Sequence, residues 1–279
     1  MIAGTSTGGI IAAGLSAPST TQRLSYNKYS NSKPKFLASD LLDLYQNQSK
    51  SLFTKDFYSM MKMTYSDKGR LSLFEEYFSS IKLKQTLTEL VIPATREIIS
   101  KVTHPYLFTR YDAFSDESMN DTLVDALMAT TAAPTLFSPY MLKDKGLFLD
   151  GGIHFNNPEE SAYFEAIRYG IPREKISVLS LGTGDYIPEP SNPNQYRDQL
   201  FWKQKSYKVQ QGCTDHEMYT MLGNRYQRWQ IYFEDPIKLD NYERIPYLLE
   251  IGHQYIEELD ASDENPINKI VESFDDKAH

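Results

Sequence analysis

The sequence predicts an α/β protein, with a mostly parallel central sheet flanked by helices and a helical C-terminal part. Three observations predict it. Segments with helical spacing alternate with short apolar, β-branched runs as far as Leu181, the pattern of a sheet covered by helices. At the N-terminus, Gly4-Thr5-Ser6-Thr7-Gly8-Gly9 leads straight into a small, apolar segment of helical character, which reads as a strand-to-helix turn. Beyond the Tyr186–Asp198 stretch the apolar residues recur mainly at helical spacing.

Along the chain, the helix opening at Ser6 is followed from Ser16 to Lys35 by a polar stretch with prolines at Pro18 and Pro34, which reads as a loop. Ser39 looks like an N-cap for a helix carrying Leu41, Leu42 and Tyr45 on one face, and Leu71, Phe74 and Phe78 repeat the helical pattern. Leu90 to Ile98 and Pro105 to Tyr111 are short, apolar and rich in β-branched or aromatic residues, so they are read as strands. Thr122 to Thr131 returns to helical spacing through Leu123, Ala126 and Leu127. Leu147 to Leu149 and Ile176 to Leu181 are read as buried strands, the second closing on Gly182-Thr183-Gly184. Tyr186 to Asp198 holds three prolines and several polar residues and reads as a linker or long loop. A helix is then predicted with Met218, Leu222, Arg225, Tyr226 and Trp229 on one face, then a short strand at Ile231 to Phe233. Pro246 opens a last helix bearing Leu248, Ile251, Tyr255 and Leu259, and the acidic tail after Asp260 reads as a frayed end.

Composition narrows the function. With 29 Lys and Arg against 37 Asp and Glu, the net charge of −8 argues against nucleic acid or an anionic membrane surface as a mainly electrostatic partner. The single cysteine, Cys213, excludes an intrachain disulfide and is read as a small buried hydrophobe. Apolar stretches are broken by charge well before the roughly 20 residues needed to span a bilayer. No His, Cys or acidic residues fall in a metal-ligand pattern.

The Ser6 frame is where chemistry is expected. A nucleophilic Ser must stand on a sharp, strained turn, and Gly4 and Gly8 flank it without side chains so that the two backbones can close up. The helix behind it presents free N–H groups, and the Thr7 N–H is placed for a developing oxyanion. A plain Gly/Ser turn is the competing reading of such a frame. A phosphate-cradling loop fits less well, since no Lys follows the glycines. The second informative stretch is Ala132-Ala133-Pro134-Thr135, then Asp150-Gly151-Gly152 and Asn156-Asn157-Pro158. A carboxylate delivered by the strand end at Asp150 can take the nucleophile's proton, whereas an Asp-Gly-Gly turn without chemistry is the alternative. Among the histidines, His154 shares the Asp150 loop and is the candidate for a triad base; His104, His216, His253 and His279 have no suggestive context.

Read together, these stretches resemble the patatin-like phospholipases, with Gly4-Thr5-Ser6-Thr7-Gly8-Gly9, Ala132-Ala133-Pro134-Thr135, Asp150-Gly151-Gly152 with Asn156-Asn157-Pro158, and Ser180-Leu181-Gly182-Thr183-Gly184 in family order. The resemblance covers residues 1 to about 184. It implies a three-layer α/β/α fold in a single domain over 1–279, with a catalytic core at 1–184 and a linker and helical part at 185–279. It implies a Ser6/Asp150 dyad with no histidine, backbone roles for Gly4, Thr7 and Gly8, a supporting loop at Gly151 and Gly152, and no metal or cofactor. The implied activity is serine acyl hydrolysis of phospholipid or related lipid esters by a soluble protein, cytoplasmic or delivered to a host cytosol, that meets its substrate at a membrane surface. One departure stands out: the family's first strand and glycine-rich oxyanion loop lie upstream of the serine, and this sequence starts too late to contain them. The alternative expectation is therefore a weak or inactive lipid- or protein-binding remnant.

Overall fold

The computed structural model describes residues 1–20, 32–55, 64–99, 102–186, 214–262 and 266–275. The middle of the expected Ser16–Lys35 loop, nearly all of the Tyr186–Asp198 linker, Cys213 and His279 lie outside these residues. Contacts divide the chain into two units, Met1–Val178 with Asp198–Gln227, and Leu179–Arg197 with Arg228–His279.

The first unit is organised on the ten-residue strand β2 (Leu90–Ile99). Strand β1 (Ile2–Ala3) pairs parallel with its first residues, Ile2 opposite Leu90 and Ala3 opposite Val91. Strand β3 (Val102–Thr109) lies antiparallel along nearly the whole of β2, from Val91↔Thr109 to Ile99↔Val102. Because β3 occupies one edge throughout, β1 and β5 (Gly146–Asp150) must share the other. There β5 runs antiparallel from Glu97↔Leu147 to Ala94↔Asp150, and β4 (Tyr140–Leu142) pairs antiparallel on its outer side. The ends of β1 and β5 thus point at each other across Ile92 and Pro93.

The α/β class and the three-layer α/β/α arrangement hold, and the sheet is mixed, with a smaller parallel share than the alternation of elements suggested. In this sheet β1–β2 is parallel and the other pairings are antiparallel. The reason is connection length: two residues join β2 to β3 and three join β4 to β5, the latter through Asp144 at φ 66°. Links that short can only make hairpins, since a parallel return needs a crossover of a dozen residues or more.

One face of the sheet packs on four helices, α1 (Thr7–Ser16), α2 (Ala38–Leu52), α3 (Asp67–Phe78) and α5 (Leu123–Thr130). Ile10 and Ala13 of α1, Leu44 of α2, Phe74 and Phe78 of α3 and Leu127 of α5 join Leu90, Ile92, Ala94, Phe108 and Phe148 of the sheet in one core. Helix α1 holds three glycines, a poor composition for a helix. Packing explains them in part: a Cβ on Gly14 would lie 2.4 Å from Leu41 of α2, and one on Gly9 would lie 3.1 Å from Thr130 of α5. A separate cluster joins Tyr163 and Ala166 of α6 (Glu159–Arg168) to Ile176, Met218, Leu222 and Tyr226.

Several boundaries differ from the sequence reading. Helix α2 begins at Ala38 with Leu37 as its cap residue, and Asp40 accepts the Leu37 N–H at 2.7 Å; Leu42 is exposed and Leu44 takes the buried place. β3 ends at Thr109, whose hydroxyl caps the short helix α4 (Arg110–Ser115) by accepting from the Asp112 N–H, so Tyr111 is helical. The helix carrying Met218 and Leu222 stops at residue 222, where Gly223 turns at φ 57°, and Tyr226–Trp229 form strand β8 instead of continuing the helical face.

Past β6 (Val178–Leu181), in the second unit, Gly182 N–H donates to the Trp229 carbonyl, and β7 (Asp185–Tyr186) runs parallel to β9 (Tyr232–Phe233), with Gly184 at φ 90° against the Phe233 ring. Helix α7 (Ile245–Ala261) opens with Pro246 and half-buries Leu248, Ile251, Tyr255 and Leu259, the face the sequence predicts. The tail is not merely frayed: α8 (Pro266–Asp275) half-buries Ile267 and Ile270, one turn apart. Among the described residues no helix is long and apolar enough to cross a membrane.

Candidate active site

Strand β1 delivers Ser6 to the gap between β1 and β5. Gly4 N–H closes the β1 ladder onto the Val91 carbonyl at 3.1 Å, and two residues later the chain reverses into α1. Ser6 has φ 52° and ψ −119°, outside the regions an L-residue ordinarily occupies. Strain of this kind costs about 1–3 kcal/mol and persists only where the surroundings over-determine it. The surroundings do so here. Ser6 N–H donates to Thr130 Oγ1 at 2.9 Å, and Thr130 in turn donates to the Pro93 carbonyl at 2.5 Å. Thr5 Oγ1 donates to the Phe155 carbonyl at 2.7 Å, tying the turn to the loop after Asp150. A Cβ at Gly4 would sit 2.0 Å from the Gly8 carbonyl oxygen, so close approach of the two backbones requires glycine there. At Gly8 a Cβ would meet nothing within 4 Å; the tight contact expected of both glycines is met by Gly4 alone.

Asp150 arrives from the opposite direction at the end of β5, with an unstrained φ of −50°. Its backbone is held on both sides: the N–H donates to the Ala132 carbonyl at 3.0 Å, and the carbonyl accepts from Thr95 Oγ1 at 2.9 Å. Its carboxylate is shared between two donors, Gly152 N–H to Oδ1 and Ser6 Oγ to Oδ2, each at 2.7 Å. Gly151 has no room for a side chain, because a Cβ would lie 2.2 Å from the Pro93 carbonyl oxygen. Pro93 itself is at home in the middle of the sheet because its position faces the gap, where no ladder partner exists and an N–H would be left without an acceptor.

Asp150 is 6% exposed. Burial raises its pKa above the ordinary carboxylate value, opposed by the Ser6 hydroxyl, the Gly152 N–H and the positive charge of Arg70. The carboxylate therefore holds a proton more readily than a solvated aspartate while remaining bonded to the serine hydroxyl. The Thr7 N–H, at the first position of α1 directly after Ser6, donates to none of the described residues.

The histidine alternative is not assembled. His154 Nε2 lies 3.2 Å from Thr103 Oγ1 on β3, and the Ser6 hydroxyl gives its hydrogen bond to Asp150. His104 lies on β3 opposite Arg96, and His216 and His253 lie exposed on helices. Among the described residues no group of His, Cys, Asp and Glu could hold a metal ion.

The structure brings Ser6, Asp150, Gly4, Thr7, Gly151 and Gly152 together. Sequence reasoning missed Thr5, Pro93, Thr95 and Thr130. Their signal was faint: a Thr-Thr pair closing a helix just before Ala132-Ala133-Pro134, and a proline and a threonine interrupting the apolar run of β2.

A strained serine turn thus faces a strand-end aspartate, and the sequence comparisons give the family of the chain that carries it. The family model described as patatin-like phospholipase matches residues 1–163. The chain belongs to the patatin-like phospholipase family. It is 31% identical to patatin-like protein 2 of Arabidopsis thaliana over 214 residues, 70% of this chain and 47% of that protein. It is 30% identical to patatin-like protein 4 of the same plant, over 66% of this chain and 49% of the relative. A cGAMP-activated phospholipase of Escherichia coli (strain TW11681) is 27% identical over 68% of this chain and 52% of its own length. The chain spans about half the length of the curated relatives it matches.

Proposed function

We propose that this chain is a serine acyl hydrolase that cleaves fatty-acyl esters of phospholipids or related lipids through a Ser6/Asp150 dyad. The observation that carries the reading is the 2.7 Å hydrogen bond from a strained Ser6 to a buried Asp150. In this reading Asp150 takes the hydroxyl proton as Ser6 Oγ attacks the ester carbonyl, and passes it to the departing alcohol as the acyl-enzyme forms. Water, deprotonated by the same carboxylate, then attacks the acyl-enzyme; the proton returns to Ser6 Oγ as the fatty acid leaves. The Thr7 N–H stabilises the oxyanion in both steps. No step calls for a metal or cofactor. The substrate class rests on family membership and on relatives whose names include a phospholipase, and the protein meets the lipid at a membrane surface.

Covalent labelling by a fluorophosphonate probe, beside fatty-acid release from phosphatidylcholine vesicles, tests this reading. The expected result is labelling and release that vanish together in Ser6→Ala. Labelling that persists in Ser6→Ala, or hydrolysis that persists in Asp150→Asn, overturns it.

A further inference from the structure

Both members of the Ser6–Asp150 pair are held by the same short segment, the end of α5. Thr130 receives the Ser6 N–H on its hydroxyl, and the Ala132 carbonyl receives the Asp150 N–H. Between them stands Thr131, and its hydroxyl is gripped from the neighbouring helix by Arg70. Arg70 Nη1 donates to Thr131 Oγ1 at 2.7 Å and reaches the Met128 carbonyl at 3.5 Å; Nη2 donates to Asp67 at 2.5 Å. The guanidinium stacks over the Phe137 ring at 4.0 Å from its centroid. At 2% exposure Arg70 is among the most buried large side chains of the described residues, although burial of a cation is costly unless it is compensated. The Asp67 ion pair and the Phe137 ring compensate part of that cost, and the remaining hydrogen bonds are to the α5 terminus, where a cation also meets the negative end of the helix.

We propose that Arg70 is a positioning residue for the reaction: it locks the Thr130–Thr131–Ala132 segment that sets the Ser6-to-Asp150 distance. The proposal rests on the Ser6/Asp150 reading above. The lock follows from the chain of hydrogen bonds, since a shift of Thr131 moves the two anchors on either side of it. A weaker electrostatic effect accompanies the lock, from the field of a buried cation with little water to screen it. Asp150 and Arg70 each favour the other's ionised form; Asp67 is the second carboxylate acting on Arg70, and the Ser6 hydroxyl and Gly152 N–H are the other groups acting on the Asp150 carboxylate. Removing the cation therefore raises the Asp150 pKa further, and the acidic limb of activity moves to higher pH.

The test measures fluorophosphonate labelling rate against pH for the whole protein, for Arg70→Met, Arg70→Lys and Thr131→Val, with thermal melting of each. Labelling of the parent and its loss in Ser6→Ala establish the underlying reading independently. Arg70→Met is expected to slow labelling about 10- to 100-fold, the scale of a misplacement of roughly 1 Å, and to move the acidic midpoint upward. Arg70→Lys, which keeps the charge but not the fork, is expected to return the midpoint to the parent value without restoring the full rate. Thr131→Val, which keeps the cation, is expected to lower the rate at an unchanged midpoint. A folded Arg70→Met with the parent's rate and midpoint overturns the proposal while the dyad stands. If Arg70→Met does not fold, a parent-like rate in Thr131→Val overturns it.

Discussion

The two halves of the candidate site are held in opposite ways. Ser6 sits in a conformation unfavourable to it, at φ 52°, on a turn where one backbone presses on another and a Cβ at Gly4 would come within 2.0 Å of Gly8. Asp150 has ordinary backbone angles and is instead unfavourable in its surroundings, a carboxylate 6% exposed. In the proposed reaction the serine must project from its turn, and its half stores backbone strain. The proposed base must hold a proton well enough to take one, and its half stores a desolvation cost. Both are held in place by threonines: Thr5 and Thr130 on the serine side, Thr95 on the aspartate side.

Exchanging the base breaks the contrast most completely. Asp150→Asn keeps the shape of the turn and should lower acyl-ester turnover by about three orders of magnitude or more, read as kcat/KM on a chromogenic ester. The same variant should be the more stable protein at neutral pH. Because the folded pKa of Asp150 is raised, the folded state holds more protons than the unfolded state between the ordinary aspartate value and the raised one. Stability from this group is therefore full at low pH and is lost as pH rises through that window. Melting curves should show Asp150→Asn gaining on the parent as pH increases, and an advantage confined to acid pH would contradict the burial account. The labelling rate of the parent should fall on acidification through the same raised pKa.

On the serine side the glycines separate strain from propensity. Gly4→Ala should cost about 3 kcal/mol or more by chemical denaturation, because the added methyl collides with backbone that cannot move aside. Gly8→Ala, in open space within α1, should leave stability unchanged or raise it by about 0.5–1 kcal/mol. The threonines give the smaller effects. Thr130→Val removes the acceptor of the Ser6 N–H and the donor to Pro93, and should cost about 1–3 kcal/mol together with a slower labelling rate. Thr95→Val removes only a donor to the Asp150 carbonyl and should cost about 0.5–1.5 kcal/mol. A larger loss of labelling from Thr95→Val than from Thr130→Val would reverse the assignment of strain to the serine side.

What the sequence revealed and what it hid divide along the range of the interactions. The Ser6 turn is encoded within five residues, and the Asp150 turn within three behind an apolar strand, so both could be read locally. So could the face of α7, which follows from period alone. The hairpin character of β2–β3 was also present, as a linker too short for any crossover, but the alternation of elements drew attention from it. Thr130, Thr95 and Arg70 could not be found this way. Their partners lie 124, 55 and 61 residues away, and nothing in a threonine or an arginine announces such a partner. Strand β8 was hidden because Tyr226 and Trp229 fit a helical face as well as a pleated one until Gly223 breaks the run.

The shared edge of β2 makes that strand a gauge block. Ser6 and Asp150 are 144 residues apart in sequence, yet their separation is laid off along the few residues between Val91, where β1 ends, and Ala94, where β5 ends. One residue added there would displace the aspartate by about 3.3 Å, more than a hydrogen bond can absorb. The length of a surface loop between the two residues therefore does not enter their separation, while this interval has one permissible length.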